Sequence, residues 1–203
     1  MTKDVGVQTT AAAAEPLSRA HIRAALRSAP PPLSASEVGL RPAAVLFPIV
    51  EREVPSALFT RRTDDLPSHA GQICFPGGKY HADDQTLIRT ALREMEEEIG
   101  LSPEDVELAG YLDSHTTVNS GFVILPVVGF LPPDYRLKID PGEVAEVFEA
   151  PLAYILDPKN QAPKSLERGG VIRHFYAIEY DGHTIWGATA AIIVNLSEKL
   201  GFR

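Results

Sequence analysis

Cysteine is nearly absent: Cys74 is the only one in 203 residues, beside a single tryptophan and two methionines. One thiol can form no intramolecular disulfide, and no cysteine cluster can hold zinc. A reducing, cytoplasmic setting is therefore expected. Positive charge is also scarce, with 19 Lys and Arg against 27 Asp and Glu and a formal net charge of −8. A general nucleic-acid binder normally carries a basic patch, so nucleic acid is not an expected partner. A small phosphorylated substrate stays in play, because bound cations invert the local field. Long apolar runs are missing. The longest mostly apolar stretch, Gly121–Leu131, is too short to span a bilayer and contains Pro126. Four alanines stand together near the N-terminus, but no apolar h-region accompanies them, so neither a secretory signal nor a membrane partner is expected.

What is present is ordinary globular composition, 44% hydrophobic and 23% charged. The length allows one sizeable core and is short for two full domains. Residues 1–15 read as a flexible tail. Leu17–Leu26 has helical spacing, closed by Pro30-Pro31-Pro32. Together, residues 1–39 read as an appendage to a domain spanning 40–203. Within that domain, Ala43–Val50 and Ala57–Thr60 read as a hairpin. Ile73–Phe75 reads as a strand stopped by a turn at Pro76-Gly77-Gly78. A helix is predicted from about Asp84 to Ile99, closed by Gly100. Val106–Leu112, Phe122–Phe130, Val144–Phe148 and Val171–Tyr180 read as strands, and Ala188–Leu200 as a closing amphipathic helix. Strands and helices mix without a βαβ rhythm, which predicts α+β or a mixed-sheet sandwich.

The chemistry concentrates on the middle helix. At about 100° per residue, Ile88, Ala91, Leu92, Met95 and Ile99 form a core-facing stripe. Glu94 and Glu98 fall together on one flank of it, Glu97 lies one step further round, and Glu96 points elsewhere. Like charges at this spacing oppose the helix by roughly 0.2–0.5 kcal/mol per pair. A solvated acidic face would explain an arbitrary run of glutamates, but convergent carboxylates also suit Mg²⁺ or Mn²⁺, hard cations that take oxygen ligands. Arg93, one turn before Glu97, is placed to pair with it. The glycines at 77 and 78 would let backbone amides approach a phosphate.

Gly78 … Arg93-Glu94-Met95-Glu96-Glu97-Glu98-Ile99-Gly100-Leu101 resembles the Nudix box, G-x5-E-x7-R-E-U-x-E-E-x-G-U, where U is aliphatic. The second half matches at every specified position. The first half is one residue longer, and Asp84 stands where the first glutamate is expected, readable as a helix N-cap. Upstream, Leu58-Phe59-Thr60-Arg61-Arg62-Thr63 … Gly71-Gln72-Ile73-Cys74-Phe75-Pro76-Gly77-Gly78 is similar to the signature of the coenzyme A pyrophosphatase subgroup. Glu143-Val144 … Pro151-Leu152 and Trp186-Gly187-Ala188-Thr189-Ala190 are similar to it as well. Phe59, Thr63 and Pro67 depart from that signature, Pro67 standing at its usual basic position.

The resemblance implies an α/β/α sandwich around a mixed central sheet. It implies metal-dependent hydrolysis of coenzyme A, or an acyl derivative, to 4′-phosphopantetheine and adenosine 3′,5′-bisphosphate. Glu94 and Glu98 are the expected primary ligands of Mg²⁺ or Mn²⁺, with Glu97 a third ligand or a water-orienting group and Arg93 positioning a carboxylate. Thr60, Arg62, His69, Gly77 and Gly78 are the expected substrate-binding residues. Glu143 is a candidate general base, readable equally as an exposed loop acid. A small-molecule diphosphate is the expected partner of a monomer or homodimer. Two alternatives stand beside this reading: the same chemistry on ADP-ribose or another nucleoside diphosphate derivative, and a non-catalytic binding module. Cys74 reads as a buried strand residue, His115 as a surface-loop residue, and Trp186 as core.

Overall fold

A computed structural model describes residues 17–32, 37–117, 121–168 and 170–203; the tail expected at 1–15 lies outside the described residues. In chain order the elements are α1 (Arg19–Ala25), β1 (Arg41–Val50), β2 (Ser56–Arg62), β3 (Ile73–Cys74), β4 (Gly77–Lys79), α2 (Leu87–Ile99), β5 (Glu107–Tyr111), β6 (His115–Thr117), β7 (Phe122–Leu131), β8 (Val144–Pro151), α3 (Leu152–Leu156), β9 (Ala162–Arg168), β10 (Val171–Tyr180), β11 (His183–Trp186) and α4 (Gly187–Lys199).

Eight strands build a mixed sheet along the path β3-β2-β1-β7-β5, with β4 added to β1, β6 to β7 and β8 to β2. The central pair, β1 and β7, runs parallel from Arg41↔Phe122 to Val50↔Leu131. Both are dense apolar runs, as strands covered on both faces must be. The other edge of β1 is divided. Ala43–Val45 pair with β4, whereas Ile49 and Val50 pair with β2. A second sheet, β11-β10-β9, is antiparallel.

Alternation along β1 sorts the core into two layers. Ala44, Leu46 and Val50 meet Ala91, Met95 and Ile99 of α2. Phe47 and Ile49 point the other way, into a cluster with Ile155 of α3, Ile192, Ile193 and Leu196 of α4, and Ile178 and Ile185 of the second sheet. Helices therefore cover both faces of the mixed sheet, the α/β/α arrangement expected.

Several local readings are corrected. β3 does end before Pro76, but Gly77 and Gly78 are not a turn: they start β4, where pairing with β1 overrides the low strand propensity of a Gly-Gly pair. The middle helix starts at Leu87 and not at Asp84, which closes a 3₁₀ turn, Ala82–Asp84. Helix α1 is no appendage: Ile22 is 1% exposed within the core, and Arg27 exchanges both backbone hydrogen bonds with Tyr111 on the outer side of β5. Trp186 is 39% exposed, because β11 is an edge strand and Trp186 meets only the edge of Phe175. His115 lies in β6, half-buried against α4, and not in a surface loop. Strands β6, β9 and β11 and helix α3 were not predicted; they are short or polar, and tertiary pairing decides them.

Candidate active site

Thr86 caps α2, its side chain accepting the Arg89 N–H at 3.3 Å. Gly100 closes the helix at φ 72°, where a side chain would run into Lys138. Between these caps, Arg93 organises the acidic groups. Its Nε donates to Asp84 Oδ1 at 2.7 Å and its Nη2 to Asp84 Oδ2 at 3.0 Å, a two-pronged pair. Nη1 lies 2.8 Å from Glu97 and 3.0 Å from Glu94, and Nη2 also donates to the Lys79 carbonyl at 3.1 Å. Asp84 further accepts from the His81 amide and the Thr90 hydroxyl. These donors, led by Arg93, hold the Asp84 carboxyl well below the usual carboxylate range. Asp84 is thus the anchor of Arg93; the α2 N-cap is Thr86.

Glu98 is 2% exposed. The backbone of Gly77 favours the charged form of its carboxylate, while Oε2 is buried with no hydrogen-bond partner. The Arg62 guanidinium stands 3.6 Å away, close enough to act through charge but too far for a hydrogen bond. Burial, helped by the negative charges of Glu94 and Glu143, pushes the Glu98 carboxyl up to about 8 despite Arg62. Glu94 is also raised, first by burial, with Glu97 and Glu143 adding to it and Arg93 opposing. Glu143, on an exposed turn before β8, thus adds its negative charge to the field at both carboxylates of α2.

The structure brings Glu94, Glu98, Glu143, Arg62, Gly77 and Gly78 together. Glu97 is the most outward of the three helix glutamates, its side chain 60% exposed, and it shares Arg93 Nη1 with Glu94. The place of a Gly78 Cβ is filled by the Glu94 carboxylate, and the backbone of Gly77 favours the charged form of Glu98. Thr60 is fully buried, with its hydroxyl turned to the Cys74 carbonyl and thiol, so it supports the floor and cannot touch substrate. His69 sits on an exposed turn at φ 57°, its Nδ1 2.7 Å from Gln72 Oε1. Burial pushes the Cys74 thiol up to about 11, so it is inert at neutral pH.

No group of three or more His, Cys, Asp or Glu among the described residues stands in ligand geometry for a metal ion. A closed cage is not what Mg²⁺ needs, since it commonly takes one or two carboxylates and completes its shell with water and substrate phosphate. A buried carboxylate with one oxygen unpaired, flanked by two more acids, is a costly arrangement that a cation relieves. The donor set fits a hard divalent cation. No helix among the described residues is long and apolar enough to cross a membrane.

Comparison with known proteins agrees with this geometry. The NUDIX domain family model matches residues 39–169. An uncharacterized Nudix hydrolase NudL from Photorhabdus laumondii subsp. laumondii is 40% identical over 175 residues, covering 86% of this chain and 92% of the relative. The NudL protein of Klebsiella pneumoniae subsp. pneumoniae is 43% identical over 163 residues, covering 80% and 84%. Among solved structures, a C. elegans Ap4A hydrolase binary complex aligns at a TM-score of 0.47 and 15% identity, covering 56% of this chain and 82% of that one. The family match over most of the chain and the identity to these relatives establish that the chain belongs to the Nudix hydrolases.

Proposed function

We propose that this Nudix hydrolase cleaves the diphosphate of coenzyme A or an acyl derivative, giving 4′-phosphopantetheine, or its acyl form, and adenosine 3′,5′-bisphosphate. One observation carries the reading. The stretch that is similar to the coenzyme A subgroup, Thr60 to Gly78, reaches the catalytic helix, with Arg62 3.6 Å from Glu98 and Gly78 against the Glu94 carboxylate. The segment that would select the substrate therefore also shapes the acidic site.

Nudix hydrolases generally use a divalent cation such as Mg²⁺ or Mn²⁺. Here Glu98, through its unpaired Oε2, and Glu94 would hold it, with Glu143 adding its charge to theirs. When bound, the cation neutralises charge on the diphosphate and lowers the pKa of bound water. Arg62 offers a buried Nε that has no partner, suited to a phosphoryl oxygen. Glu143, exposed and acting by charge on the α2 carboxylates, is the proposed general base for the attacking water. Arg93 positions Glu94 without touching substrate. Glu97, with one oxygen paired to Arg93, would serve as a third ligand or orient the water.

Pro67 lies exposed where the subgroup carries a basic residue, which favours ADP-ribose or a related nucleoside diphosphate derivative as the second reading. The purified protein, supplied with Mg²⁺ or Mn²⁺, is to be incubated with coenzyme A, acetyl-coenzyme A, ADP-ribose and dinucleoside polyphosphates, and the products weighed by mass spectrometry. Phosphopantetheine from coenzyme A is the expected result. Turnover of ADP-ribose alone would replace the substrate, and turnover of no diphosphate would indicate a binding module.

A further inference from the structure

The turn that carries Glu143 is tied down from two sides. On one side it hangs from the end of α2: the Asp140 amide donates to the Glu98 carbonyl at 3.0 Å, and the Lys138 amide to the Ile99 carbonyl at 2.9 Å. Within the turn, the Asp140 carboxylate accepts the Gly142 amide at 2.8 Å, and the Asp140 carbonyl accepts the amides of Glu143 and Val144. On the other side stands one residue, Thr63. Its amide donates to the Glu143 carbonyl at 3.0 Å, and its hydroxyl to the Gly142 carbonyl at 3.3 Å.

Thr63 has a second duty. Its carbonyl accepts the Gly71 amide at 3.3 Å, while the adjacent Arg62 amide donates to the Gln72 carbonyl at 3.0 Å. These bonds close the loop of residues 64–70 that carries Pro67 and His69. Gly71 is confined further, since a Cβ there would lie 2.8 Å from Asp64 Oδ1. Thr63 thus joins the neck of an exposed loop to the backbone of Glu143, and follows directly on the arginine beside Glu98.

We propose that Thr63 is a positioning residue: it latches the Glu143 turn to the neck of the 64–70 loop, so that contacts a substrate makes with the loop set the place of the Glu143 carboxylate. This rests on Glu143 acting in the reaction. A surface turn of acidic and glycine residues has little packing of its own to hold a carboxylate in place. Backbone hydrogen bonds to a residue rooted in β2 give that place definition. The loop and Glu143 then respond as one unit, and binding energy gained far from the reacting phosphorus is spent on aligning the base.

The test is a double-mutant cycle on the full chain with its best diphosphate substrate. Thr63→Val removes the hydroxyl bond and keeps the volume; Asp140→Ala removes the side-chain bond to the Gly142 amide that holds the turn together from within. Each is expected to lower kcat about three- to tenfold, the size of one lost hydrogen bond, with KM changed less than twofold. Thr63→Ser should restore kcat. In a Glu143→Gln background, where the carboxylate is already lost, neither substitution should cost anything more. Amide hydrogen exchange over residues 138–144 should quicken in Thr63→Val while that of α2 stays unchanged. Equal losses from Thr63→Val with and without Glu143, or unchanged exchange at 138–144, would overturn the latch. A Glu143→Gln variant with full activity would instead remove the role of Glu143 itself, and the latch with it.

Discussion

The carboxylate of Glu94 occupies the space where residue 78 would carry its Cβ. A glycine in β4 and a glutamate in α2 are therefore one feature of the site, and the glycine is there for clearance. In Gly78→Ala the methyl group would displace the end of a flexible side chain, not backbone. The expected outcome is a modest fall in melting temperature, because the displaced group, though largely buried, is the end of a flexible side chain that can change rotamer. Turnover should fall about 100-fold, the cost of misplacing a catalytic group by about 1 Å. Steady-state kinetics and a thermal melt on the same sample check both.

Glu98 is buried with Oε2 unpaired, so its charge is a burden on the fold that a bound cation relieves. Glu98→Gln removes that charge with little change in volume. Without metal, the variant should melt no lower than the parent. Addition of Mg²⁺ or Mn²⁺ should raise the parent's melting temperature and leave the variant's unchanged, with turnover reduced by orders of magnitude. A metal-induced shift of equal size in both proteins would refute the assignment of Glu98 as a ligand.

Arg93 binds Asp84 through two nitrogens, and Asp84 is nearly inaccessible, its side chain 4% exposed. Removal of one partner strands a buried charge, which typically costs about 3–5 kcal/mol. Arg93→Met should lose stability on that scale in urea unfolding. Arg93→Lys keeps the charge but not the planar fork, so it should recover only part of the loss. Full recovery by lysine would show that charge alone, without geometry, holds the site.

Acid should loosen the chain through Glu149 and Asp113 as well as through Asp84 at the site. The Glu149 carboxylate accepts from Arg52, Ser56 and Tyr135. Burial raises its carboxyl, but these donors outweigh that and hold it down to about 2. Asp113, held chiefly by Lys199 and then by Arg27 and Asn195, is lowered to about 2. Groups lowered in the folded state stabilise it above their unfolded values, about 4.5 and 3.8, and lose that contribution as pH falls towards 2. Urea midpoints should be flat with respect to these groups from pH 7 to 5, then decline. Glu149→Gln should shrink the decline, and an unchanged slope would count against Glu149 as a main contributor.

The parts of the site that could be read in the sequence are those where the motif is local. Of the stripe Ile88, Ala91, Leu92, Met95 and Ile99, the central Ala91, Met95 and Ile99 are fully buried and Ile88 and Leu92 half-buried at its edges, while Glu96 is exposed. The pairing of Arg93 with Glu97 follows from helical spacing of four. What could not be read depends on distant partners. Gly77-Gly78 has the composition of a turn, and only the ladder with Ala44 and Val45 makes it a strand. Thr60 looks like a ligand-facing polar residue until Cys74, fourteen positions on, takes its hydroxyl. Glu97 follows the helix wheel, but the wheel does not show that it shares Arg93 Nη1 with Glu94. The arrival of Glu143 near Glu98 depends on a turn hung from the helix end, a contact with no sequence period.

Asp84 differs from the general box in two ways, being one methylene shorter than glutamate and separated from Arg93 by eight residues where the box has seven. In space these are compensating changes. The additional residue lies between the acid and the arginine, where Gln85 at φ 63° links the 3₁₀ turn Ala82–Asp84 to the segment entering the helix, and Asp84 still meets the guanidinium through both oxygens. A longer approach and a shorter arm add up to the same reach. Loop length and acid length should therefore change hands together among relatives, and exchanging either one alone should disarm Arg93.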